Sequence, residues 1–60
     1  MPSSSILVEA ERLHSVSSRL DLLADEHPLV SEALLTISGN VRQTANLLEL
    51  LVISKFGPLN

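Results

Sequence analysis

Along the second half of the chain, apolar or near-apolar side chains fall at Val30, Leu34, Ile37, Val41, Thr44, Leu48 and Leu51, in steps that alternate between four and three. That spacing is a heptad seam, and it predicts one long helix that packs against other helices along its whole length. The first half keeps the same rhythm through Ile6, Leu13, Val16, Leu20 and Leu23, with Glu9 interrupting the seam and Ala10 beside it. No helix buries such a seam by itself, so the pattern implies association.

The boundaries come from the residues that break helices. Met1 to Ser5 is a small polar leader in which one of Ser3, Ser4 or Ser5 is suited to cap a following helix, and Glu9 and Glu11 are expected near its positive end. Pro28 has no backbone N–H and pushes His27 out of the α region, so the first helix is predicted over residues 5–25, ending at Asp25 or Glu26. Proline also suits the first position of a new helix, and Glu32 favours that same start. The second helix is predicted over 28–56, with Lys55 in its last turn and Gly57-Pro58 as its stop. Gly39-Asn40 is a turn signal that would split this helix. Ile37 and Val41 lie four apart across the pair and the seam stays in phase, which favours a continuous helix with a glycine cost of about 1 kcal/mol.

Two long helices joined by so short a connector run antiparallel, each roughly 30–40 Å long. The expected fold is therefore all-α: one helical-hairpin domain over 1–60. Folding about residue 27 brings Ile6, Leu7 and Val8 opposite residues 47–51, and Leu47, Leu50, Val52 and Ile53 exceed what one partner helix covers. That surplus predicts a homodimer of hairpins forming a four-helix bundle. Its expected core is Ile6, Leu13, Val16, Leu20 and Leu23 with Val30, Leu34, Ile37, Val41, Leu48, Leu51 and Val52. Another helical protein is the alternative partner.

Composition sharpens this picture. A chain of 60 residues buries little apolar surface alone, and the absence of cysteine removes disulfides and thiolate metal sites as staples. Hydrophobic residues make up 45% of the chain with Phe56 the only aromatic, an aliphatic surplus that suits a helix bundle. The net charge of −3 offers no attraction to nucleic acid or anionic lipid. Its excess lies wholly in the first half, where Glu9, Glu11, Asp21, Asp25 and Glu26 outnumber Arg12 and Arg19; Glu32 and Glu49 balance Arg42 and Lys55 in the second. No apolar run approaches the roughly 20 residues that span a bilayer. Without a basic start before an apolar stretch, no signal peptide is expected, and a cytoplasmic location is the expectation.

Candidate chemistry is sparse. Glu11 and His14 have the Glu-x-x-His spacing of four-helix di-iron proteins, with Glu49 as a further carboxylate, but with Leu13 at a and Val16 at d all three are expected to face solvent. His27 reads as a turn residue at the hairpin bend. Ser15, Ser17 and Ser18 lack a histidine and acid at any recognisable catalytic spacing. Ser38-Gly39-Asn40 before Val41-Arg42-Gln43-Thr44 superficially suggests a DNA-reading turn and helix, yet Leu35 and Ala45 have the wrong sizes and Arg42 is its one cation. No catalytic residue, metal or cofactor is expected.

The pattern of two antiparallel heptad helices that pair into a bundle resembles Rop, the plasmid RNA-binding regulator. The resemblance covers most of the chain as apolar spacing alone. It implies an RNA face, for which Arg12 and Arg19, both at g positions on the first helix, are the candidates beside Glu9, Glu11 and Asp21. The expected function is a non-catalytic, homo-oligomeric assembly module, with a small Rop-like nucleic-acid-binding regulator as the alternative.

Overall fold

Pro28 sets the architecture. Ahead of it, His27 takes φ −130° and ψ 75°, outside the α region as a residue before proline must be, and the chain reverses through one 3-10 turn, Pro28–Val30. The computed structural model describes residues 3–57, side chains from residue 4 onward. Helix α1 is Ser3–Glu26 and helix α2 is Ser31–Phe56, packed side by side as an antiparallel hairpin. Three bonds close the bend. The ring Nδ1 of His27 lies 3.0 Å from the carbonyl of Leu23, Val30 N–H donates to the carbonyl of His27 at 3.1 Å, and Ser31 N–H donates to the carbonyl of Pro28. The second α-helix thus begins three residues later than the sequence suggests, because residues 28–30 wind as the tighter 3-10 form that proline tolerates at its start.

At the other end, α1 begins before the expected position, so Ser4 and Ser5 lie inside it and its cap falls outside the described residues. Glu9 and Glu11 consequently sit beyond the first turn, where the free amides no longer reach them. Glu9 instead accepts a hydrogen bond from Arg12 at 2.7 Å. Helix α2 runs unbroken through Gly39-Asn40, with Glu32 in its first turn and Lys55 in its last. It stops at Gly57, whose φ of 79° is the left-handed conformation glycine adopts without penalty; its N–H donates to the carbonyl of Ile53 at 3.0 Å.

The contact between the helices departs from the sequence seam. Among the described residues the fully buried ones are Ala10, Ser17 and Ala24 of α1 and Ser38, Ala45 and Val52 of α2, each set spaced seven residues apart. Ile6, Leu13 and Leu20 of α1 and Leu34, Val41 and Leu48 of α2 belong to both seams and are partly buried. Every other seam position moves by one: from Val16 to Ser17, Leu23 to Ala24, Val30 to Ser31, Ile37 to Ser38, Thr44 to Ala45 and Leu51 to Val52. Within the hairpin Leu23 is left 40% exposed, Val30 50%, Ile37 49% and Leu51 44%.

Size explains the shift. Helix separation follows the side chains at the contact, and alanine and serine let the backbones close in until larger residues no longer fit between them. The hydroxyl of Ser17 lies 3.1 Å from the carbonyl of Ser38, and that of Ser38 lies 2.9 Å from the carbonyl of Ser17, so each helix's side chain touches the other's backbone. The large residues are displaced sideways.

Two substitutions test this packing by urea unfolding followed by circular dichroism. Ala45→Leu should force the helices apart and cost about 1–3 kcal/mol. Gly39→Ala should stabilise by up to about 1 kcal/mol, because a Cβ there meets nothing within 4 Å in a continuous helix. A destabilised Gly39→Ala would contradict that continuity.

Candidate interaction surface

The hairpin has two unlike flanks, set by the 100° step of each helix away from the contact line. Positions three before and four after the buried residues form one flank, which carries His14 and Asp21 of α1 opposite Glu49 and Arg42 of α2, with Leu35 and Phe56 towards its ends. Positions four before and three after form the other. There Ile6, Leu13 and Leu20 meet Leu34, Val41 and Leu48, and the next row outward holds Val16 and Leu23 on α1 and Val30, Ile37 and Leu51 on α2. Glu9 and Lys55, both towards the open end, are the charged residues of this flank.

The polar flank is anchored through the contact line itself. Asp21 Oδ2 accepts from the Arg42 guanidinium at 2.8 Å, and Asp21 Oδ1 accepts from the Ser38 hydroxyl at 2.6 Å. Ser38 has one proton and three acceptors in reach, so the charged carboxylate takes it in preference to the Ser17 carbonyl or hydroxyl. The Ser17 hydroxyl, 2.8 Å from Ser38 Oγ, then donates to that oxygen or to the Ser38 carbonyl. No buried side-chain polar atom among the described residues lacks a partner. The Ser38 hydrogen bond, followed by the Arg42 guanidinium, holds the Asp21 carboxyl below the usual range, against an opposing effect of partial removal from water.

His14 and Glu49 correct the expected register. The heptad register points both towards solvent together with Glu11, and Glu11 is exposed. His14 and Glu49 instead sit half-exposed at the edge of the contact, facing one another with Nε2 3.5 Å from Oε1, longer than a hydrogen bond. Among the described residues no three His, Cys, Asp or Glu side chains converge as metal ligands, and the surface holds no pocket.

The remaining sequence candidates lie apart. Arg12 is paired to Glu9, Arg19 is exposed, and Arg42 is held by Asp21. The unbroken α2 also removes the turn that a DNA-reading helix would need at 38–40. The Ser17–Ser38–Asp21–Arg42 cluster was not anticipated. Its signal lay in small residues recurring every seven positions, at 10, 17 and 24 and at 31, 38 and 45.

A carboxyl with a lowered folded pKa stabilises the fold above its ordinary pKa, and that contribution is lost as pH falls through the lowered value. Asp21→Asn should therefore be less stable than the parent at neutral pH. The gap should narrow as pH drops below about 4, where an ordinary aspartate protonates. Denaturation midpoints at neutral and acid pH measure it, and a gap independent of pH would show that ionised Asp21 contributes nothing.

No helix of the described residues is long and apolar enough to cross a membrane. The chain matches no protein-family model, no curated protein and no solved structure, so its resemblance to Rop rests on helical spacing and hairpin form alone.

Proposed function

We propose that this chain is a non-catalytic helical association module that works as a homo-oligomer, with the apolar flank as the surface through which copies join. The supporting observation is the half-exposure of Leu23, Val30, Ile37 and Leu51 in a row beside Leu13, Leu20, Leu34, Val41 and Leu48. Among the described residues the hairpin fully buries only alanines, serines and one valine, which is little core for a chain of this length. The heptad stripe of α2 points roughly 80° away from α1, given 3.6 residues per turn. A stripe so directed is placed to meet helices beyond its own hairpin, as in a four-helix bundle. Large contiguous apolar faces are rare on soluble monomers and mark interaction surfaces. Nothing in the charge distribution favours nucleic acid, since Arg12 and Arg42 are already paired to carboxylates of the same chain and the net charge is −3.

Sedimentation velocity and thermal melts between about 1 and 100 μM should show a dimer whose melting temperature rises with concentration, because folding and association are linked. Ile37→Arg, a change at a half-exposed site that the hairpin itself tolerates, should shift the chain towards monomer and lower its melting temperature. Leu50→Arg, at an exposed position turned away from the apolar flank, should leave association intact. A parent chain that sediments as a folded monomer throughout would overturn the proposal.

A further inference from the structure

We propose that the occupant of the apolar flank is a second copy of this chain lying antiparallel to the first, so that the two bends sit at opposite ends and each meets the partner's open end. This rests on the association module proposed above and adds its geometry.

Area and width point to a second hairpin. The molecule measures 43 × 17 × 14 Å, so the flank spanned by both helices is roughly 700 Å², close to the roughly 800 Å² per partner that a stable interface buries. A single helix, about 10–12 Å across, would leave part of that width uncovered. Another hairpin matches it in both directions, and one apolar patch meeting its own copy makes a closed twofold dimer.

Two twofold axes can stack the hairpins face to face. An axis along the helices puts the bends side by side, whereas an axis across them puts the bends at opposite ends. Charge separates the two. From residue 20 to residue 41 there is no lysine or arginine, and Asp25, Glu26 and Glu32 of the bend make no ion pair among the described residues. Bends side by side would gather both copies of all three carboxylates at one end of the dimer. Like charges brought together disfavour that arrangement. With the axis across the helices, each acidic bend lies at the level of the partner's Lys55, which makes no ion pair within its own chain among the described residues.

The bend offers a direct readout. Leu29 is fully exposed there and the chain has no cysteine, so Leu29→Cys takes a single spin label without touching either flank. Electron–electron dipolar spectroscopy on the labelled protein, sedimented in parallel, should show a dimer with labels about 40 Å apart, the length of some 26 helical residues at 1.5 Å each. Dimers with labels under about 20 Å apart, the distance expected for neighbouring helices about 10 Å apart, would overturn the antiparallel arrangement while leaving association standing. A folded monomer with no dipolar coupling would overturn both.

Discussion

The close approach of α1 and α2 along Ala10, Ser17 and Ala24 against Ser38, Ala45 and Val52 governs the rest of the molecule. Small side chains on that line bring each serine hydroxyl onto the opposite backbone, a contact that bulky residues would prevent. The same closeness leaves no room between the helices for Ile37, Leu51 or Leu23. They are moved to one flank, where a single hairpin half-covers them. A tight contact and an apolar flank are therefore two results of one packing choice.

A serine pair in the middle of a helix contact would cost free energy if its hydroxyls lacked partners. Here the Ser38 hydroxyl donates to Asp21, which is itself held by Arg42, and the Ser17 hydroxyl donates to Ser38 Oγ or to the Ser38 carbonyl. The arrangement also breaks a degeneracy. A heptad contact looks alike after a slip of seven residues, but such a slip would leave Ser38 opposite an alanine and separate Asp21 from Arg42. Polar groups at a seam select register in this way, and the short bend at Pro28 limits the same slip by its length.

The proposed association rests on the difference between the flanks. One carries Asp21–Arg42 and His14–Glu49 at its centre, groups that remain hydrated and gain little from a partner. The other presents aliphatic side chains over both helices. Covering it with a like surface would remove apolar area from water and leave Asp21–Arg42 and His14–Glu49 hydrated, which is the physical ground of the association proposed above.

The helical class, the bend at Pro28, the continuity through Gly39 and the stop at Gly57 were legible in the sequence, because proline geometry, heptad phase and glycine conformation act locally. So were Leu13, Leu20, Leu34, Val41 and Leu48, which border the contact whichever neighbouring row it chooses. Tertiary structure decided that row. Hydropathy favours Val30, Ile37 and Leu51, whereas close packing of two backbones favours Ser31, Ser38 and Val52 one position on. His14 and Glu49 were misplaced for the same reason, and the pairing of Asp21 with Arg42 across 21 residues became visible only with the contact line in place. A periodic sequence states how often a helix turns a side inward; how near the neighbouring backbone can come decides which side it is.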